Sequence, residues 1–148
     1  MKIKFTKMHG CGNDYVYIDC MEKLLENPAR LSTILSDRRK SIGGDGIILI
    51  EPSDCAEAKM RIFNKDGSEG KMCGNGIRCV AKYLFDKGLC KDPKSIKIET
   101  LSGVKTLEIT ENSGNEANVK VNMGKPSFKP SEIPVVANKE KLERAYNH

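Results

Sequence analysis

The chain has 148 residues, of which 39% are hydrophobic and 30% charged, a composition typical of a water-soluble protein with one ordinary domain. It contains no apolar run long enough to cross a membrane, and residues 1–8 lack the apolar core of a signal peptide, so we expect a cytoplasmic protein without a membrane partner. The net charge of +5 comes from scattered lysines, aromatic residues make up 5% and Trp is absent, which argues against a nucleic-acid partner.

Hydrophobic periodicity and turn residues divide the chain into short strands and two helices. In chain order we predict strands at 3–7 and 15–19, a helix from 28 to about 39, strands at 47–50 and 59–64, a helix from 74 to about 87, and strands at 96–100, 104–109 and 117–121. Glycine-rich loops are predicted at 9–14, 43–46 and 64–75. The strand at 47–50 is apolar throughout, which predicts burial on both faces.

The balance of these elements indicates the fold class. Strands outnumber helices, and one helix is much more apolar than the other. The last three strands follow one another through short turns, which is typical of an antiparallel meander. We therefore predict an α+β fold in which a mixed or antiparallel sheet curls around one central helix. Gly and Pro interrupt the pattern beyond this unit, so we expect a domain at 1–122 and a linker, or the start of a further domain, at 123–148.

The central helix is expected to begin directly after Cys73. The apolar residues that follow have the i, i+3, i+4, i+7 spacing of one helix face: Ile77, Val80, Ala81 and Leu84. A helix N-terminus carries unpaired N–H groups and partial positive charge, which favour a thiolate and can hold a carboxylate or a developing carbanion. Glycines on both sides of Asn75 let a ligand approach the backbone. The segment predicts a reactive base beside an anion site, and simple burial is the alternative for Cys73.

The six cysteines show no metal-binding pattern. No two of them have C-x-x-C spacing, and the chain has only two histidines, so we expect no metal site. Free thiols in a reducing cytoplasm are the expected state. Cys79 is expected to pack in the core further along the central helix. His9 could act as a base, but a structural role is the preferred interpretation.

Side-chain amides recur in the glycine-rich loops, at Asn13, Asn64 and Asn75. An amide donates and accepts hydrogen bonds without adding charge, which suits the ammonium and carboxylate groups of an amino acid. The alternative for each of them is that Asn and Gly simply form turns. A dinucleotide site is disfavoured, because residues 74–79 have the pattern G-x-G-x-x-C and follow a turn instead of a strand.

Taken together, these motifs closely resemble those of the diaminopimelate epimerase family. The matching segments are FTKMHGCGND at 5–14, IGGDG at 42–46, RIFNKDGSE at 61–69, CGNGIRC at 73–79 and VNMGKP at 121–126. The resemblance extends over essentially the whole chain. It implies one half of a pseudo-symmetric fold, and an isomerase that interconverts LL- and meso-diaminopimelate on the pathway to lysine and peptidoglycan.

The resemblance also implies a two-base mechanism with no pyridoxal phosphate, no other cofactor and no metal. One cysteine thiolate removes the α-proton from one face of the substrate, and a second cysteine thiol returns a proton to the other face. Cys73 matches one of these two catalytic cysteines. Asn13, Asn64, Gly74 and Asn75 match the substrate-contacting positions of the family.

The chain departs from the family in one important respect. The family enzyme is considerably longer, and its second domain carries the other cysteine and further substrate contacts. We therefore expect this chain to be inactive alone and to need a C-terminal half or a homodimer partner. Two alternatives stay open: a catalytically silent binding or assembly module of the same fold, and a related cofactor-independent amino-acid racemase.

Overall fold

The structure, a computed structural model, describes residues 2–133. Its elements are β1 (Thr6–Gly10), β2 (Asn13–Asp19), α1 (Pro28–Leu35), β3 (Gly46–Glu51), β4 (Ala58–Asn64), β5 (Glu69–Gly70), α2 (Gly74–Asp86), β6 (Ile96–Thr100), β7 (Gly103–Ser113), β8 (Glu116–Val121) and a 3₁₀ turn at Pro130–Glu132. The predicted tail at 123–148 lies partly outside the described residues, so its division from the rest stays a prediction. Neither α-helix in the described part is long and apolar enough to cross a membrane.

The described strands form one sheet that curls around α2. The sheet has eight strands in the order β1-β2-β3-β4-β6-β7-β8, with β5 paired to β4. β2 runs parallel to β3 and β4 runs parallel to β6, whereas the other neighbours are antiparallel. α2 packs against β1 at one edge and against β8 at the other. The predicted α+β fold, a mixed sheet around one central helix, is confirmed.

The apolar face of α2 fills the inside of this curled sheet. Its four predicted core residues are fully buried: Ile77, Val80, Ala81 and Leu84. They belong to one cluster with Tyr17 of β2, Ile48 of β3 and Ile98 of β6. Burial of each large aliphatic side chain contributes roughly 2 kcal/mol. The helix that carries Cys73 at its start is therefore held by the core on several sides.

α1 belongs to a second cluster of buried side chains, on the other face of β3. Leu31 and Leu35 of the helix pack against this cluster, which includes Val16, Ile47 and Leu49. Every residue of β3 is buried, which confirms the predicted burial on both faces. The strand that follows the loop at 43–46 is therefore anchored between two apolar layers.

The structure corrects the first predicted strand. β1 lies later in the chain than the predicted strand at 3–7, and the predicted loop at 9–14 shrinks to a two-residue turn. Cys11 and Gly12 form this turn with φ of 54° and 82°. Two residues with positive φ make the tight turn that suits the twist of antiparallel strands, so the pairing of β1 with β2 extends to the turn itself.

The first helix is also shorter than predicted. α1 ends at Leu35 rather than near residue 39. The Asp37 carboxylate accepts hydrogen bonds from the backbone N–H groups of Arg39 at 2.8 Å and Lys40 at 3.1 Å. Such local side-chain hydrogen bonds compete with helical ones, so the chain turns here instead of continuing the helix.

Candidate active site

Cys73 is the N-cap residue of α2. Its backbone is extended, with φ −140° and ψ 110°, and its Sγ accepts a hydrogen bond from the Gly76 N–H at 3.3 Å. Ser, Thr, Asp or Asn usually occupies this position, so a sulfur here replaces the usual oxygen acceptor. The sulfur lies against the first turn of the helix, where unpaired N–H groups and the helix dipole favour negative charge. The structure thus places Cys73 at the helix start, as the sequence predicts.

Gly74 and Asn75 form the first turn beside this sulfur. Their N–H groups precede the first residues that pair within the helix. The atoms nearest to a Cβ on Gly74 would be Met123 Sδ and Cε, at 3.9 and 4.0 Å, so a small group has room there. Asn75 Oδ1 accepts a hydrogen bond from Arg78 Nη2 at 2.6 Å, which orients the amide so that its Nδ2 faces away from Arg78. Both residues can therefore present donors at the helix start.

Asn13, the first residue of β2, contacts the Cys73 sulfur. The thiol donates a hydrogen bond to Asn13 Oδ1 at 3.5 Å, and Asn13 Nδ2 donates to Asp45 Oδ2 at 2.6 Å. The two contacts arise because the curled sheet brings the start of β2 and the loop before β3 to the start of α2. Of the predicted asparagines, Asn13 is the one whose side chain forms a hydrogen bond with the sulfur in the described structure.

Asn64 ends β4 and lies at the margin of the site. Its Nδ2 donates to Ser68 Oγ at 3.0 Å. The next residue, Lys65, donates its backbone N–H to the Asp45 carbonyl oxygen at 3.0 Å. Asn64 is thus tied to the loop that carries Asp45, but among the described residues it forms no hydrogen bond with Cys73. Its predicted role as a substrate contact stays a prediction.

Two further residues of the site, Tyr15 and Asp45, are not predicted from the sequence. Tyr15 is 5% exposed, and burial, followed by the effect of the nearby Cys73 sulfur, raises its pKa to about 12. Its phenol therefore stays protonated at neutral pH. Asp45 lies in the glycine-rich loop at 43–46, where an aspartate is an ordinary turn residue and carries no separate signal. Tyr15 is equally inconspicuous in sequence, because aromatic residues are common in strands.

An ion-pair network flanks the start of β2. The Asp14 carboxylate forms ion pairs with Lys7 Nζ at 2.7 Å and with Arg38 Nη2 at 2.5 Å. The same Arg38 nitrogen lies 3.1 Å from Asp45 Oδ1. The hydrogen bonds from Arg38 and then Lys7 hold the pKa of Asp14 well below its usual range. Lys7 Nζ also donates to the Gly43 carbonyl oxygen. The network therefore joins β1, β2 and the loop that carries Asp45.

Asp14→Asn is expected to lower the free energy of unfolding by about 1 kcal/mol at pH 7 and by less in acid. Because the folded pKa of Asp14 lies below its unfolded value of about 3.9, the ionised carboxylate stabilises the fold fully above that value. Its contribution is lost as the pH falls toward the folded pKa. Urea unfolding of both proteins at pH 7 and pH 3 measures the change. An undiminished difference at pH 3 would contradict the ion-pair explanation.

The other cysteines and His9 take no part in these contacts at the sulfur. All six cysteines are free thiols. Cys79 is 6% exposed, as expected for a core residue, and burial raises the pKa of its thiol. His9 Nδ1 accepts the Gly12 N–H at 3.3 Å within the β1–β2 turn. Across residues 2–133, no three His, Cys, Asp or Glu side chains form a cluster that could hold a metal, and the expected lack of a cofactor stays a prediction.

Comparison with known proteins identifies the family. The model of the family described as diaminopimelate epimerase matches residues 5–129. The chain belongs to the diaminopimelate epimerase family. Among its curated relatives, the diaminopimelate epimerase of Acetivibrio thermocellus is 53% identical over 138 residues, which cover 93% of this chain and 49% of the relative. This family member is therefore related to isomerases, and it spans about half the length of the curated relatives it matches.

Two solved structures share the fold of this diaminopimelate epimerase family member. The Bacillus anthracis phenazine biosynthesis protein of the PhzF family superimposes with a TM-score of 0.63 at 24% sequence identity. The alignment covers 82% of this chain and 40% of that protein's chain. A probable proline racemase from Agrobacterium radiobacter K84 has a TM-score of 0.59 at 18% identity, covering 81% of this chain and 41% of its own. These likenesses support the predicted fold class, and at such identities they show the fold alone.

Proposed function

We propose that this chain provides the Cys73 part of a diaminopimelate epimerase, an enzyme that interconverts LL- and meso-2,6-diaminopimelate for lysine and peptidoglycan synthesis. The observation that carries the proposal is the position of Cys73 Sγ, 3.3 Å from Gly76 N and 3.5 Å from Asn13 Oδ1 at the start of α2. A thiol in this position can exchange a proton with a bound amino acid, and its surroundings can hold negative charge. The name shared by the curated relatives supports diaminopimelate as the substrate.

In the proposed complex, the α-carboxylate of the substrate lies against the first turn of α2. The backbone N–H groups of Gly74 and Asn75 donate to its oxygens, together with the Asn75 side-chain amide. Asn13 and Asn64 contact the polar groups of the amino acid from the strand side. Support for these four contacts comes from the resemblance of their motifs to the family and from the donors that the helix start presents.

The Cys73 thiolate takes the α-proton, so an S–H bond forms as the Cα–H bond breaks. The electron pair stays on the substrate as a carbanion that is delocalised into its carboxylate, and the helix N–H groups stabilise the growing charge. A second thiol on the opposite face then gives its proton to Cα and becomes a thiolate, which completes the inversion. Two thiols thus carry both proton transfers without a cofactor. Both must stay reduced, so we place the reaction in the cytoplasm.

We propose that the second thiol comes from a C-terminal half, and the alternative source is a second copy of the chain. Among the described residues, Cys73 is the one cysteine that caps the start of a helix. Cys20 and Cys79 are buried at 2% and 6% exposure, so they are poorly placed to meet a substrate. We therefore propose that the chain alone does not invert diaminopimelate, and that residues 123–148 lead from the domain at 1–122 toward the completing unit.

Exchange of the substrate α-proton in D₂O, followed by ¹H NMR, tests this proposal with LL- and meso-diaminopimelate. The chain alone is expected to give no inversion, and adding the C-terminal half of the Acetivibrio thermocellus relative is expected to restore exchange with inversion. Inversion by the chain alone would overturn the need for a C-terminal half and would favour a second copy of the chain as the source of the second thiol. No exchange in a mixture whose assembly is shown by size-exclusion chromatography would contradict the epimerase proposal.

Calorimetry with diaminopimelate separates the proposed enzyme from a silent binding module. Heat of binding without exchange in the assembled mixture would favour the silent module, and exchange of proline but not of diaminopimelate would favour a related racemase. Cys55→Ser is a control for the exchange assay, because it removes an exposed thiol outside the site, 3.6 Å from Ser53 Oγ. This variant is expected to retain full exchange.

A further inference from the structure

The Asp45 carboxylate determines how the Asn13 side chain is oriented. A carboxylate only accepts hydrogen bonds, so the group that lies 2.6 Å from Asp45 Oδ2 must be the amide nitrogen of Asn13. The amide oxygen then faces the other way and lies 3.5 Å from Cys73 Sγ. The order of contacts from Asp45 through Asn13 to Cys73 thus follows from the chemistry of the carboxylate, which settles the choice between the two ends of the amide.

Asp45 is itself held on several sides. Its Oδ1 lies 3.1 Å from Arg38 Nη2, and its Oδ2 also accepts the Asp14 backbone N–H at 3.2 Å. Its own backbone N–H donates to the Asp14 carbonyl oxygen at 2.7 Å, and its carbonyl oxygen accepts the Lys65 N–H at 3.0 Å. Because its backbone and its carboxylate are both engaged, Asp45 forms a fixed support for the amide.

We propose that Asp45 is a positioning residue for the Cys73 base and acts through Asn13. With Asp45 in place, Asn13 presents its amide oxygen to the sulfur. Without Asp45 the amide can rotate and present its nitrogen, an N–H donor, to the sulfur instead. Asp45 thus sets which end of the Asn13 amide meets the sulfur and a substrate. Its importance for catalysis rests on the proposed function, whereas its effect on the thiol is a property of the chain itself.

Alkylation of Cys73 by iodoacetamide at pH 7, followed by mass spectrometry of the Cys73 peptide, tests the proposal on the chain as it is. The thiolate is the reactive form of a cysteine, and an N–H donor turned toward the sulfur stabilises that form, so Asp45→Asn is expected to raise the alkylation rate about fivefold. The side-chain amide that this substitution introduces can both donate and accept hydrogen bonds. Either end of the Asn13 amide can therefore pair with it, and the Asn13 oxygen is no longer held toward the sulfur. In an Asn13→Ala background, the same substitution is expected to change the rate less than about twofold.

Asp14→Asn is the matched control. This substitution removes one negative charge from the ion network that Asp14 shares with Asp45 through Arg38. It leaves in place the Asp45 carboxylate that accepts the hydrogen bond of the Asn13 side chain. The alkylation rate of this control is expected to stay within about twofold of the wild-type rate, because the Asp14 carboxylate pairs with Arg38 and Lys7 and not with Asn13 or Cys73, and salt screens its longer-range effect. An equal rise in the control, or an equal rise in the Asn13→Ala background, would overturn the proposal in favour of a general charge effect. An unchanged rate in Asp45→Asn would also overturn it.

Side-chain ¹H–¹⁵N NMR of Asn13 gives a second readout that does not depend on a variant. One Nδ2 proton of the wild-type chain is expected to show the downfield shift of a hydrogen bond to a carboxylate, and two solvent-like protons would overturn the proposal. Circular dichroism shows whether each variant is folded before its alkylation is compared. Neither readout uses diaminopimelate, so a negative result here is distinct from a failure of the exchange assay.

Discussion

Cys73→Ser is expected to abolish the inversion of diaminopimelate when this chain is assembled with a complementary half. Serine is a preferred N-cap residue, so its hydroxyl can accept the Gly76 N–H and the helix keeps its cap. A hydroxyl is a far weaker base than a thiolate, however, and cannot take up the α-proton efficiently. We expect the exchange rate to fall by about 10²- to 10⁴-fold, the contribution typical of a general base. The ¹H NMR exchange assay in D₂O measures this loss.

Cys79→Ser is the control on the same helix. The Cys79 side chain is 6% exposed, so a hydroxyl there is expected to lower the free energy of unfolding by about 2 kcal/mol. Exchange is expected to persist at temperatures where this variant is folded. Retained inversion in Cys73→Ser would remove Cys73 from the mechanism. Loss of inversion in folded Cys79→Ser would show that the core cysteine has a chemical role.

The central helix was predictable because its signals are local. The spacing of the apolar residues in α2 and the position of Cys73 before two glycines depend on neighbours a few positions apart. The β1–β2 turn was not predictable in the same way, because Cys11 has a φ of 54°. Few residues other than Gly adopt positive φ, and Cys has no preference for it. Here the pairing of two strands determines the turn, and such pairing is absent from any short stretch of sequence.

The contacts at the site depend on distant segments and could not be predicted. Asn13 and Cys73 are 60 positions apart, and their contact follows from how the sheet curls around α2. Asn13 and Asp45 are 32 apart, and their contact follows from the parallel pairing of β2 with β3. Gly10 illustrates the difference between a local and a tertiary explanation. Its sequence context suggests only a turn, yet a Cβ there would lie 2.8 Å from the Asn75 carbonyl oxygen. Glycine is needed at this position because β1 approaches the start of the helix.

Gly46→Ala is expected to lower the free energy of unfolding by about 3 kcal/mol. Gly46 begins β3 opposite Asn64, and a Cβ there would lie 2.1 Å from the Phe63 carbonyl oxygen and 3.0 Å from Tyr15 Cε1. The carbonyl belongs to the backbone of β4, so rotation of a side chain cannot relieve the clash. β3 and β4 must separate, which weakens their hydrogen bonds. Urea unfolding of the chain and the variant measures the loss.

Gly74→Ala is the matched control, because it makes the same change where there is room. The atoms nearest to the new Cβ would be Met123 Sδ and Cε, at 3.9 and 4.0 Å, which is ordinary van der Waals contact. Alanine in the first turn of a helix also restricts the unfolded chain, so stability is expected to stay the same or to rise by up to about 1 kcal/mol. A similar loss at Gly46 and Gly74 would indicate that both positions need a flexible backbone. A loss confined to Gly46 would identify the close approach of β3 and β4 as the reason for its glycine.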